Sequence, residues 1–333
     1  MTPPRRIIKG ATLFITFRAV GRSFRFLPTK EVRQIIEYTL AATLESYANL
    51  IHMHEYVFLS NHGHFLLTDV AGVLPNFMRD LNSLISRNLN ASRGHRGANF
   101  EDGYNIVRPL PDREGSMDDK IIEHAVYTLA NAPSAHLVAR ARHWKGPSSS
   151  KLPYNKTILV SRPNYGTWKY LGEQSKDSIH RNPSHKRRKE KKRLQYSGTK
   201  FPEVARFKLV RPPIRQEMSD GELRHEILRQ LNERELELIF ERSKNGRTVM
   251  GMKLVLKQNW QLSPRNKEDM FSTIPSVSGR SKWARIEALQ HLGAFLQDYR
   301  RALQSFIRHE LDICFPHGTW LMRIRYATPC ASS

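Results

Sequence analysis

The chain has 333 residues, enough for two domains or for one domain with a large appendage. Its 54 Lys and Arg against 31 Asp and Glu leave a formal net charge of +23, which points to a polyanionic partner, nucleic acid before an anionic membrane surface. No apolar run approaches the ~20 residues of a spanning helix, no signal peptide is evident, and Cys314 and Cys330 make neither a zinc site nor a disulfide framework. Membrane and secreted classes therefore give way to a reducing cytoplasm.

In chain order, Ala11 to Ala19 alternates β-branched and aromatic residues with small or polar ones and reads as a strand that Gly21 breaks. A helix from about Lys30 to Tyr47 follows, with Thr29 as N-cap and Val32, Ile35, Ile36, Leu40 and Leu44 at helical spacing. Ile51 to Ser60 and Gly63 to Thr68 read as two further strands around a tight turn at Ser60-Asn61. A helix from Leu74 to Leu89 carries a polar, basic side with Arg79 and Arg87; a loop with Arg93 and Arg96 leads to a strand over Tyr104 to Leu110. Met117 to Asn131 is a helix with acids in its early turns, where they suit the macrodipole. Strand, helix, strand, strand, helix, strand is the order of a ferredoxin-like split β-α-β domain: α+β, an antiparallel sheet with helices on one face, spanning residues 1–146.

Residues 147–205 are polar, basic and rich in Ser and Pro, and read as a linker. Its extreme is the run Lys186, Arg187, Arg188, Lys189, Lys191, Lys192 and Arg193, suited to a phosphate backbone without reading sequence. Residues 206–333 form a mixed, mainly helical accessory region: a short strand at Phe207 to Val210, helices over Asp220 to Arg242 and Ser281 to Leu311, and a closing strand over Phe315 to Tyr326.

Chemistry concentrates at V-F-L-S-N-H-G-H-F-L-L-T-D, Val57 to Asp69. Strand side chains alternate faces, so His62 and His64 point the same way, roughly 7 Å apart along the strand, and two such imidazoles can share one metal ion. On the later helix Tyr127 and Asn131 are four apart and share a face, with His124 on the same side. Taken singly, a strand H-x-H is more often a solvated pair and a helical Tyr a core residue.

Together and in this order they resemble the single-tyrosine HUH transposases, and within them the REP-associated tyrosine transposases, over about residues 5 to 148. The resemblance rests on A-T-L-F-I-T-F-R-A-V-G-R, L-S-N-H-G-H-F-L-L, the helix F-M-R-D-L-N-S-L-I-S-R-N-L-N and Y-T-L-A-N-A-P-S-A-H-L-V. It departs at Gly63, where the family carries a bulky residue and a small cavity is expected, at Ala132, and at His136, where the family has glycine.

The resemblance implies that His62, His64 and Asn131 hold a divalent ion, Mg²⁺ or Mn²⁺, and that Tyr127 attacks single-stranded, hairpin-associated DNA. The family's product is a 5′-phosphotyrosine link and a free 3′-OH, rejoined later by that hydroxyl. Arg79, Arg87, Arg93, Arg96 and the run Lys186 to Arg193 are the candidate DNA contacts, and the active unit is one chain or a homodimer. His52 and His54 form a rival H-x-H pair, while Asp69 and Glu123 are supplementary ligand candidates. The alternatives are a non-catalytic single-stranded nucleic-acid-binding protein, a replication initiator of the same chemistry, and a decayed transposase.

Overall fold

The computed structural model describes residues 4–111, 116–165, 168, 201–264, 276–310 and 312–332; the basic run Lys186 to Arg193 lies outside them. Contacts divide the chain into a larger unit, Gly10–Thr167 with Pro202–Ala284, and a smaller one, Met1–Lys9 with Trp168–Phe201 and Arg285–Ser333.

The larger unit is built on β1 (Ala11–Arg18), α1 (Lys30–Ser46), β2 (Ile51–Phe58), β3 (His62–Asp69), α2 (Leu74–Arg93), β4 (Asn105–Pro109) and α3 (Asp118–Ser134). The caps explain the boundaries. The Thr29 hydroxyl accepts from the Val32 amide at the start of α1. The Asp69 carboxylate accepts from the amides of Val73 and Leu74 at 2.8 and 3.0 Å and so starts α2. Gly94, in the left-handed region with φ 58°, ends it, and α2 therefore runs four residues past Leu89, where the sequence pattern fades.

The sheet order is β2-β3-β1-β4, with β1 antiparallel to β3 and to β4, and β2 antiparallel to β3. That is the expected ferredoxin-like arrangement. Two features were not in the sequence pattern. A two-residue strand β7 (Val277–Ser278) adds to β4 in parallel, so the sheet is mixed and draws on residues far beyond 146. The helices also take both faces. Phe65 of β3 meets Phe77 of α2 at 6.5 Å between ring centroids, whereas His64 meets Tyr127 of α3 at 5.5 Å. Period-two alternation thus puts α1 and α2 behind the sheet and α3 in front of it.

The flanks of the expected linker pair with each other: β5 (Thr157–Ser161) and β6 (Val204–Lys208) form an antiparallel ladder, with Ala205 and Phe207 buried. The helix α4 (Asp220–Lys244) opens on a capping box of Ser219 and Glu222 and packs along α3. Its Arg242 donates to the Pro133 carbonyl at 3.1 Å, serving the C-terminal end of α3. The short helix α5 (Met252–Leu256) adds Val255 to a core of Leu27, Val57, Leu59, Ala132, Val138 and Trp144.

In the smaller unit, most of α6 (Lys282–Ile307) packs Tyr299 and Ala302 against Phe315 and Met322. The expected closing strand over Phe315 to Tyr326 is instead a turn followed by the helix α7 (Leu321–Tyr326). Pro316 and Gly318 (φ 88°) break the extended run, and Leu, Met and Arg that follow favour helix.

Gly63 leaves no cavity. A Cβ built there would lie 2.3 Å from Phe17 Cζ and 2.9 Å from the Val57 carbonyl oxygen, because the Phe17 ring fills the space a bulky residue would take. Gly63→Val is therefore expected to cost about 1–3 kcal/mol through overpacking, and Phe17→Ala about 3–5 kcal/mol. In a double-mutant cycle by urea unfolding the pair should cost less than the sum of the two.

On the α3 side of β2, the Glu55 carboxylate is fully buried and receives Arg224 of α4 and the hydroxyls of Tyr154 and Ser149, while Arg224 Nη2 also reaches the Ser149 carbonyl at 2.6 Å. Removing one member strands a buried charge. Glu55→Ala should cost about 3–5 kcal/mol in the same assay, more than Arg229→Ala in the exposed pairs of α4.

Candidate active site

His62 and His64 both stand on the α3 side of β3, as the alternation requires, with ring centroids 5.1 Å apart. Each is set by a neighbour. The Thr16 hydroxyl, directly across on β1, is 3.0 Å from His64 Nδ1. The Asn61 amide oxygen is 2.8 Å from His62 Nδ1, and such an outer contact fixes both the ring and its tautomer. With Nδ1 donating to Asn61, His62 Nε2 is left as an acceptor, yet it faces Asn131 Oδ1, another acceptor, at 3.2 Å. Either the Asn131 amide turns its NH₂ to the ring or a cation lies between the two lone pairs. The remaining imidazole nitrogen, His64 Nε2, is buried with no hydrogen-bond partner among the described residues.

Burial pushes the His62 imidazole down to about 4, with the charges of Arg18 and Arg22 adding to the effect against the Asn131 contact. Burial also holds His64 well below its ordinary value, helped by His62, Arg18 and His124. Both rings are therefore neutral at neutral pH, the form that ligates metal. Among the described residues no group of three or more His, Cys, Asp and Glu side chains is arranged to hold a metal. The donor set here is two imidazoles and one amide, and the unpartnered His64 nitrogen and the opposed lone pairs at His62 fit a cation in their midst.

Tyr127 lies one helical turn before Asn131, its ring edge-on to His64 at 5.5 Å and to Phe14 at 5.6 Å. Asn131 is buried at 6% exposure and Tyr127 is 52% exposed, so one turn of α3 carries the helix from the level of the buried His64 ring to solvent. Phe14 is the hub that the sequence reading passed over: it stacks on His64 at 5.1 Å and on His124 at 4.8 Å. His124 is engaged with Ser278 of β7 at 2.6 Å.

The other candidates separate. His54 is the extra residue of a bulge in β2, between the Met53–Leu67 and Glu55–Leu66 pairs, and both its ring nitrogens are taken, by the Val210 carbonyl and the Thr68 hydroxyl at 2.8 Å each. No lone pair remains for a metal, so the rival pair falls away. Asp69 caps α2, and Glu123 pairs with Lys120 and Arg280. Arg79 is held by Asp80 at 2.9 Å, and it and exposed Arg87 ride on α2, behind the sheet and away from the histidine face. Arg93 lies half-buried over Trp260, and Arg96 is exposed beyond the end of α2. The cations that do stand beside the histidines were not singled out in the sequence: Arg18, paired across from His62, and Arg22, whose charges bear on that ring.

No family model and no curated protein match the chain. One solved structure is similar, a REP-associated tyrosine transposase bound to a REP hairpin, at 17% identity over 45% of this chain and 82% of that one, with a TM-score of 0.35. At that level the likeness carries no argument about function. No helix among the described residues is long and apolar enough to cross a membrane.

His54 offers a clean pH test. Its folded value is pushed down to about 4 by burial, against about 6.5 in an unfolded chain, so below 6.5 the unfolded state binds the extra proton and stability falls with acidification. Measured by urea unfolding, the advantage of the wild type over His54→Gln should shrink by up to about 1.4 kcal/mol per pH unit between pH 6.5 and 4.

Proposed function

We propose that the chain is a DNA strand transferase of the tyrosine-transposase type, acting on single-stranded, hairpin-associated DNA. The observation that carries this reading is the meeting of four side chains from two elements: His62 and His64 of β3 with Asn131 and Tyr127 of α3, around an imidazole nitrogen that has no partner among the described residues. A solvated pair of strand histidines would not leave His64 buried beneath a helix with one ring nitrogen unmet.

A divalent cation, Mg²⁺ or Mn²⁺, held by His62, His64 and Asn131 would polarise the scissile phosphate and offset its developing negative charge. The chain's own residues do the rest. Thr16 and Asn61 keep the imidazoles turned inward, and burial keeps them unprotonated. Arg18 and Arg22 make the approach electropositive for a phosphodiester. The Tyr127 oxygen attacks phosphorus and loses its proton to solvent. The P–O3′ bond breaks, the leaving oxygen takes up a proton as a 3′-OH, and the 5′-phosphate stays on Tyr127. Attack of a 3′-OH on that linkage reverses the step, so the phosphodiester energy is conserved and no nucleotide is consumed. A homodimer is compatible with the chemistry but not required by it, because all four residues lie in one chain.

The test is a labelled hairpin oligonucleotide incubated with the chain and Mn²⁺, then resolved under denaturing conditions. Expected is a covalent band at protein mass that Tyr127→Phe abolishes and His64→Ala lowers at least 100-fold. Unchanged non-covalent binding with no covalent band from the wild type would instead favour a binding module.

A further inference from the structure

At the end of α2 two guanidiniums sit over one indole. The Cζ atoms of Arg25 and Arg93 lie 4.8 and 4.6 Å from the Trp260 ring centroid, and the His95 ring stands edge-on to it at 5.2 Å. Arg93 Nη2 donates to the Arg25 carbonyl at 2.8 Å, and Arg25 Nε to the Ser23 hydroxyl at 3.2 Å. Beyond these contacts the cluster is unsatisfied. Among the described residues, Arg25 Nη1 and Arg93 Nη1 are both buried without a hydrogen-bond partner. Neither residue forms an ion pair among the described residues; Glu31 pulls on Arg93 only from a distance. Like charges therefore face each other over an aromatic ring, and burial with the neighbouring Arg25 charge brings Arg93 down to about 10.

A purely structural clasp between this loop and α2 would be built more cheaply with a carboxylate or with one cation, since unmet N–H groups and adjacent like charges both cost stability. A phosphate supplies what is missing on each count: negative charge and several acceptor oxygens for guanidinium N–H groups. The cluster is also continuous with the site above. The segment from Arg18 through Arg22 to Arg25 runs from the edge of His62 to Trp260, and it is tied down by the Phe24 amide on the Leu262 carbonyl at 2.9 Å and by the Ser263 hydroxyl on the Gly21 carbonyl at 2.6 Å.

We propose that Arg25 and Arg93 form a phosphate-binding subsite for the single-stranded DNA flanking the cleaved phosphodiester, with Trp260 as the residue that positions both guanidiniums. The ligand is a backbone phosphodiester, recognised without regard to base. This rests on the DNA-processing reading, but its test is separable, because binding is measured where no cleavage occurs.

The full chain carrying Tyr127→Phe is titrated with a labelled single-stranded oligonucleotide by fluorescence anisotropy over a range of KCl concentrations. Loss of one phosphate contact on a single strand lowers the slope of log affinity against log salt by about 0.7. Arg25→Gln and Arg93→Gln should each reduce the slope by about that amount and weaken binding several-fold. Trp260→Leu should do likewise, and Trp260→Phe, which keeps an aromatic face, should restore most of it. An Arg25→Gln chain with the wild-type melting temperature, affinity and slope would overturn the proposal. A second measurement uses the chain without substitution: phenylglyoxal modification of Arg25, read by mass spectrometry, should be suppressed by the oligonucleotide. Equal modification with and without DNA overturns the proposal as well. If Arg25 is protected while no Tyr127 adduct ever forms, the subsite stands and the cleavage reading fails.

Discussion

The register of β3 against β1 decides what this protein can do. Side chains of a strand change face at every residue, so a slip of one position would turn His62 and His64 into the hydrophobic layer under α1 and α2, and present Gly63 and Phe65 to α3. Both faces guard against that slip. On the hidden face the Phe17 ring is pressed against Gly63, a fit that only a residue without a side chain permits. On the other, Thr12 meets Thr68 at 2.8 Å and Thr16 meets His64 at 3.0 Å, hydroxyl contacts available in no other pairing. The histidines are therefore positioned by a sheet rather than by a loop, and their geometry is the sheet's geometry.

Much of this was legible in the residues, and what was not has identifiable causes. The order of the first seven elements followed from periodicity and from Gly and Pro punctuation, and the face shared by His62 and His64, or by Tyr127 and Asn131, followed from the pitch of a strand and of a helix. Periodicity does not say on which side of a sheet a helix lies, and α3 lies opposite α1 and α2. Nor does it find β7, two residues long and some 170 residues from its β4 partner, since so short a strand carries no pattern. The bulge at His54 is invisible for a related reason: H-M-H in a strand looks like a second same-face pair until the partner strand shows that one residue is supernumerary. At Gly63 the family pattern suggested a missing side chain and a void. The compensating ring comes from β1, and no single-sequence pattern links the two.

Charge was the least transferable signal. A net excess of 23 positive charges says that a polyanion is met somewhere on the surface, not where. The arginines of α2 looked like a binding face because they share a helix side, but that side is turned away from the histidines and Arg79 is held by Asp80. The cations that matter for the histidines come from the end of β1 and the turn after it. There Arg18 and Arg22 are few enough to pass unnoticed in a composition yet close enough to add their charges to the burial that keeps the His62 imidazole unprotonated.

The construction of α3 resolves a conflict that any such site faces. Ligands for a cation need a dry, fixed setting, whereas a nucleophile for a polymeric substrate must be reachable from outside. One turn of helix separates Asn131 from Tyr127, and over that turn exposure rises from 6% to 52%. The helix can be trusted with this gradient because it is held at both ends. Asp118 and Asp119 near its start are engaged by Arg215, and the Pro133 carbonyl at its finish is engaged by Arg242 of α4. His136, with φ 54°, then turns the chain in the left-handed region where a glycine is the usual residue. A non-glycine residue there costs roughly 1 kcal/mol, a cost sustained by its carbonyl accepting the Met250 amide at 2.9 Å. Residues 204 to 256, which carry no catalytic candidate of their own, thereby act on the site through α3: they fix the helix whose pitch sets how far the phenol stands from the imidazoles.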